Sequence, residues 1–196
     1  AAVVERSSVD PSRLWVGLFD GLASFRRVDG RWEHEGRVEG ITDQVRSLFE
    51  NPDGSLWAGT TSGALLVRFA QRPAGGAPRP ALAAAERFGR EHGLPRAGVF
   101  VIAVAGEPWF TPWASPEDVL VARFDPTTRT FVRETAFEQL GFDRFRGSFN
   151  LVEGLDGRLY ANFGRGTVVV SKAPDGTLAF DHATFSRFGR NPSGVP

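Results

Sequence analysis

Histidine is the side chain best able to ligate a metal or move a proton near neutral pH, and this chain has three: His34, His92 and His182. None stands at a metal-ligand spacing from another or from an acidic residue, such as the i, i+4 pair of a helical zinc site. There is no cysteine, which removes disulfides and thiolate metal sites. The sequence has no G-x-S-x-G elbow, no H-E-x-x-H pair and no P-loop. Its Asp-Gly pairs come without the D-x-D-x-D-G run and distal Glu of a calcium loop. Catalytic and metal chemistry have no visible constellation, and no cofactor is expected.

What remains suits binding. Trp113 in "TPWASPED" and Phe142, Arg144 and Arg146 in "GFDRFRG" set aromatic faces beside guanidinium groups. That combination fits a sugar acid or another anionic small molecule, through cation–π contact and forked hydrogen bonds. The competing reading is packing, with Trp113 under its own loop and Phe142 and Phe145 covering a sheet.

Bulk composition narrows the partners. Lys and Arg together number 23, as do Asp and Glu, and Lys172 is the sole lysine. A neutral chain has no electrostatic footprint for nucleic acid or an anionic membrane surface. Of the 196 residues 41% are hydrophobic, enough for a sizeable core or a run of small repeated units. No apolar run reaches membrane-spanning length, and no signal peptide is visible. The opening "AAVVER", without methionine, is expected of a processed chain or of a piece of something longer.

The elements that must position these residues come from a repeat. "PSRLWVGLFDGLASFRR" recurs as "DGSLWAGTTSGALLVRF", so that Trp57 follows Trp15 by 42 residues. "GEPWFTPW" places Trp109 52 residues further on, and "DGRLYANF" places Tyr160 51 residues after that. Asp-Gly pairs flanked by apolar residues signal tight hairpins, their two central positions favouring positive φ. Asp53-Gly54 and Asp156-Gly157 join a first strand to a second; Asp29-Gly30 and Asp175-Gly176 join a third to a fourth, where unit three uses "DPTTRT". In unit two the strands are expected near 45–50, 55–59, 64–69 and 85–89. "AQRPAGGAPRPALAAA", residues 70–85, reads as a loop insertion in which "PALAAAERF" is the best helical candidate.

Four-stranded antiparallel units of this length describe the blades of a β-propeller, an all-β fold. The recurring aromatic fills the wedge between successive blades, burying on the order of 150–250 Å². The expected limits are about 1–36, 45–89 with the 70–85 insertion, 99–135 and 148–182, the whole of 1–196 forming one partial propeller domain. "SRFGRNPSGVP" echoes "ERFGREHGLPRAG", so 183–196 are expected to lead into a further blade.

"LWVGLFDGLASF", "NPDGSLWAGTTSGALLVRF" and "RFGREHGLPRAGVFVIAV" resemble the two-component regulator propeller repeat. Units one and two match it best; unit three keeps Gly93-Leu94-Pro95, Trp109 and Phe124, and unit four keeps Asp156-Gly157-Arg158-Leu159-Tyr160. The resemblance implies a ring of about seven blades, of which four would form an open arc. It also implies a non-catalytic sensor module in the periplasm or outside the cell, part of an inner-membrane protein. Such a module binds a small molecule or oligosaccharide and passes the signal through further blades and signalling domains to a histidine kinase or another output.

Two other classes stay open: a propeller enzyme similar to streptogramin lyase, and a protein-interaction scaffold. Binding residues are expected on the face carrying the longer connections, 36–44, 60–63, 89–98, 112–118, 136–147 and 163–166. An open arc has two outer blades, carrying Trp15 and Tyr160, each with a bare face. The isolated chain is therefore expected to self-associate.

Overall fold

A computed structural model describes residues 2–70, 80–94, 98–112, 121–140, 149–154, 158–163, 166–173 and 177–181. Sixteen strands in these residues form four antiparallel sheets of four, each in plain chain order. Blade one holds β1 (Val3–Arg6), β2 (Arg13–Leu18), β3 (Gly21–Val28) and β4 (Arg31–Arg37). Blade two holds β5 (Val45–Glu50), β6 (Leu56–Thr60), β7 (Gly63–Phe69) and β8 (Leu82–Phe88). Blade three holds β9 (Val99–Val104), β10 (Glu107–Pro112), β11 (Ala122–Asp125) and β12 (Thr130–Arg133). Blade four holds β13 (Phe149–Glu153), β14 (Leu159–Phe163), β15 (Gly166–Lys172) and β16 (Leu178–Asp181). The fold is a β-propeller of four such blades.

Strands buried on both faces carry nearly continuous apolar runs. In blade two all of β6, "LWAGT", is buried, as are the first five residues of β7, "GALLV". Side chains alternate between the two neighbours. Leu56, Ala58, Leu65 and Val67 pack with Trp15 and Leu22 of blade one. Trp57, Ala64, Leu66 and Phe88 pack with Val99, Val101, Phe110, Ala122 and Phe131 of blade three. Trp109 and Val121 in turn meet Leu151, Leu159, Val168 and Val170 of blade four. The core is therefore three slabs, one between each pair of successive blades. The recurring aromatics are equivalent: Trp15, Trp57, Trp109 and Tyr160 lie opposite Glu5, Phe49, Ile102 and Val152 on their first strands.

The glycines after the tryptophan serve two purposes rather than one. A Cβ on Gly59 would fall 2.4 Å from the Val99 carbonyl oxygen and 2.3 Å from the Ser47 hydroxyl, so this glycine lets the next blade approach. Gly17 does the same for Val45. Gly63, at φ +141°, answers to the turn: its Cβ would strike the Phe88 carbonyl oxygen at 2.1 Å.

Two local expectations are corrected. "PALAAAERF" is strand, not helix, over Leu82–Phe88, paired with β7 from Ala64↔Phe88 to Phe69↔Leu82. Pairing with the open β7 edge overrides the helical preference of alanine, as tertiary context routinely does with local propensity. The two hairpin types also differ. Asp29 and Gly30 both take positive φ, 50° and 80°. At Asp53-Gly54 only Gly54 does, at 81°, because the loop is longer. Its closing bond runs from Asn51 N–H to Ser55 O at 2.8 Å, and the Asp53 carboxylate accepts from the Ser55 N–H at 2.9 Å.

Candidate ligand-binding face and inter-blade clasp

Antiparallel topology puts the β2–β3 and β6–β7 turns on one face together with the crossings between blades. The crossing segments are drawn tight over that face: the Ile41 and Phe88 carbonyls sit over Gly21 and Gly63. Beside the second of these, on blade two, lies a groove of about 380 Å³ lined by Asp43, Thr60, Ser62, Arg87, Arg90 and Glu91 among others. All but Arg87, which is on β8, come from three of the connections expected to carry binding residues. Arg87 donates to Asp43 at 2.9 Å, tying the outer strand to the crossing before it. The Thr60 hydroxyl donates to the Gly63 carbonyl at 2.9 Å and accepts from the Ser62 N–H at 3.2 Å. Among the described residues Arg90 makes no ion pair. Phe19, in the β2–β3 turn, is 66% exposed on the same face. Hydroxyls, a paired guanidinium and an unpaired one suit a polyhydroxylated or anionic ligand.

Trp113, Phe142, Arg144 and Arg146 lie outside the described residues, as do Phe145 and His182. The strands before and after them still have a place: β10 reaches this face at Pro112, and the chain returns at Val121.

The opposite face holds a polar centre that the sequence reading missed. Glu50, last residue of β5, reaches back to blade one and gathers its β1–β2 loop. Its carboxylate accepts from the Ser8 N–H at 2.6 Å, the Val9 N–H at 3.2 Å, the Ser7 hydroxyl at 2.8 Å and the Trp15 indole N–H at 3.0 Å. Phe69 stacks on Trp15 with centroids 4.8 Å apart, and the Arg13 guanidinium lies 5.5 Å from the Trp15 ring centre. Arg13 is itself held by Glu35, through Nε at 3.0 Å and a terminal nitrogen at 3.2 Å. A cleft of about 360 Å³ opens beside this centre, lined by Asp10, Glu50, Asp53 and Arg68 among others.

The carboxyl groups here are committed. Partial burial opposes ionisation of Asp10, but the Ser12 hydroxyl and N–H, with Arg26 and Arg13, outweigh it and hold the group below its ordinary range. The Ser55 hydroxyl and N–H hold Asp53 low in the same way. A carboxylate kept ionised and filled with donors is a poor proton carrier. This centre clasps two blades together. The signal for it was in the sequence: Glu50 and Glu153 stand at the same place in "LFENPDG" and "LVEGLDG". Glu153 accepts from the Ala105 N–H of the preceding blade at 2.9 Å, repeating the loop-amide part of the clasp, while among the described residues the buried Trp109 indole N–H has no hydrogen-bond acceptor.

The two described histidines act locally. His34 packs against Phe25 with centroids 4.9 Å apart, and His92 Nδ1 accepts from the Gly89 N–H at 3.1 Å while its ring meets Phe88 edge-on. Among the described residues no group of three or more His, Cys, Asp or Glu side chains is placed to hold a metal ion.

No protein-family model matches the chain, and no curated protein matches it. Solved structures do share its fold. Two are of the extracellular domain of BT4673 from B. thetaiotaomicron, described in one as a one-component system and in the other as a hybrid two-component system. They match at TM-scores of 0.61 and 0.60 with 17% and 18% identity, over 92% and 91% of this chain. A third is the periplasmic gluconolactonase PpgL of Pseudomonas aeruginosa, at TM-score 0.55 and 15% identity over 98% of this chain. The chain spans 24% of each BT4673 structure and 58% of the gluconolactonase.

Proposed function

We propose that this chain is part of an extracytoplasmic sensor propeller of a bacterial signalling protein, one that binds a small molecule or oligosaccharide without turning it over. The observation that carries this reading is the shared fold with the BT4673 extracellular domain over nine-tenths of the chain. The two-component regulator repeat resemblance of units one and two points the same way. The ligand face is the one bearing the crossings, with the groove at Arg87 and Arg90 and the loops bearing Trp113, Phe142, Arg144 and Arg146. Further blades and signalling domains of a longer protein are its partners in this reading, and the periplasm or cell exterior its location.

A second reading, a propeller enzyme, draws on the likeness to the periplasmic gluconolactonase. One pair of measurements separates the two. Calorimetry of the purified chain against neutral oligosaccharides, uronic acids and aldonic acids should find at least one that binds, with heat lost in the Arg144→Ala/Arg146→Ala double variant. Incubation with aldonolactones should give no hydrolysis above the spontaneous rate. Catalysed lactone opening would overturn the sensor reading, and a panel without any binder would overturn this choice of ligand class.

A further inference from the structure

The cleft of about 360 Å³ beside the clasp lies between blades one and two, and two of the carboxylates that line it have no counter-cation. Glu50 takes neutral donors: the Ser7 and Ser8 hydroxyls, the Ser8 and Val9 amides and the Trp15 indole. Asp53 takes the Ser55 N–H at 2.9 Å and the Ser55 hydroxyl at 2.6 Å, both on Oδ1. Among the described residues neither carboxylate forms an ion pair. The third carboxylate of the lining, Asp10, differs, since Arg26 answers it at 3.3 Å and Arg13 at 3.6 Å.

The guanidinium groups of the lining are engaged elsewhere. Arg13 gives two nitrogens to Glu35, and Arg68 bonds Glu86, and neither of those carboxylates lines the cleft. Arg68 is near enough to help hold Asp53 ionised without closing an ion pair with it. A partly enclosed charge without a partner loses hydration and gains little in return. A cation entering beside Glu50 and Asp53 would collect attraction that the chain leaves unused. Other parts of the wall are apolar: Phe69, stacked on Trp15 at 4.8 Å, Val9, which is 52% exposed, and Pro80. Among the described residues the carboxylates do not converge into a metal-holding group. This lining suits a charged head carried on an apolar body.

We propose that the cleft is a second ligand site, on the face opposite the crossings, for a small organic cation. Its ammonium or guanidinium head lies at Glu50 and Asp53, and its stem lies along Val9 and Phe69. The volume is at the small end of the range for small-molecule sites and admits a ligand of about amino-acid size. Because the lining comes from two blades, the occupant also ties blade one to blade two.

Calorimetry of the purified chain with agmatine and with benzamidine tests this. Both should bind in the millimolar range or tighter, and weaken several-fold between about 20 and about 200 mM salt. Asp53→Asn keeps the Oδ1 acceptor for Ser55 and removes the charge, and should weaken both probes about tenfold. Glu50→Gln removes the other unpaired charge and should act in the same direction. Asp29→Asn makes the same change of charge in an exposed hairpin outside the lining and should bind like the parent. Ammonium chloride at equal concentration should displace neither probe, having no apolar stem. Circular dichroism and urea midpoints check that each variant is folded. No binding by either probe up to millimolar concentration would overturn the proposal, as would parental affinity in both Asp53→Asn and Glu50→Gln. Equal weakening in Asp29→Asn would trace the attraction to the field of the whole chain and overturn the site. Displacement by plain ammonium would overturn the choice of an organic cation.

Discussion

The indole N–H of Trp15 on blade one donates to the carboxylate of Glu50 on blade two at 3.0 Å. One bond thus links the residue that fills a wedge to the residue that ends the next inner strand. Glu50 also holds the amides of Ser8 and Val9, so the loop between β1 and β2 is shaped by a residue more than forty positions away. Removing it leaves an indole N–H and two amides without their acceptor. Glu50→Ala should cost about 2–3 kcal/mol, in line with hydrogen bonds to a charged group whose donors stay partly buried. Glu50→Gln keeps the shape and one acceptor oxygen and should cost about 1 kcal/mol. Urea midpoints at constant slope check both, and a loss under about 0.5 kcal/mol for the alanine variant would remove the clasp from the account.

Trp57 is as deeply buried as Trp15 and lies edge-on to Phe110, Phe124 and Phe131 with centroids 5.1, 4.9 and 6.1 Å away. Its indole binds two blades by packing alone among the described residues. Trp57→Ala should cost about 3–5 kcal/mol, because a rigid aromatic cluster collapses poorly into the cavity. Trp57→Phe should recover more than half of that. Equal losses for both variants in thermal and urea melts would mean that ring volume is not what matters here.

Two glycines separate steric from conformational demand. Gly59→Ala drives a methyl into the Val99 backbone carbonyl, an atom that cannot rotate aside. The blades must part, and a loss of about 3 kcal/mol or more is expected, at the upper end of overpacking costs. Gly54 sits at φ +81° with nothing within 4 Å of its would-be Cβ. Gly54→Ala should cost only the left-handed backbone penalty of about 1–2 kcal/mol. Gly54→Asn should cost less still. If the order of Gly59 and Gly54 were reversed in a melt, the close approach of β6 and β9 would not be the reason for the glycine.

The repeat was legible because every blade solves one packing problem with the same residue types. Trp15, Trp57, Trp109 and Tyr160 could be aligned by eye, and with them came the strand order. The segment 82–88 was harder, since "ALAAAERF" has no β-branched residue and its strand exists only because β7 offers an edge. Glu50 was hidden for a different cause. Its role depends on a loop of the previous blade, and no local pattern connects Glu50 to Ser8. Only the recurrence of Glu153 four strands before the end records it. Binding residues were least legible, because loops over a repeated scaffold carry no period.

The carboxyl groups around the clasp give a dependence on pH with two opposite signs. Loss of water around the Glu5 carboxyl, and then repulsion from Glu50, push its pKa above the ordinary 4.5. The folded state thus holds that proton more tightly than the unfolded chain, and stability falls as pH rises through the interval above the ordinary value. Glu5→Gln should therefore be more stable than the parent at pH 7, and the gain should vanish in acid, where Glu5 is protonated in both states. Asp10 behaves in the opposite sense. Its pKa is held below the ordinary 3.8 by Ser12, Arg26 and Arg13 against the pull of burial. Its contribution is complete above the ordinary value and lost as pH falls through the depressed one. Asp10→Asn should lower stability at pH 7 and converge on the parent in strong acid. Urea midpoints of the three chains across pH 2.5–7.5, on the order of one reading per half unit of the carboxyl range, should fan out toward neutrality with Glu5→Gln above the parent and Asp10→Asn below. Parallel profiles would mean that neither carboxyl feels the environment that the clasp creates.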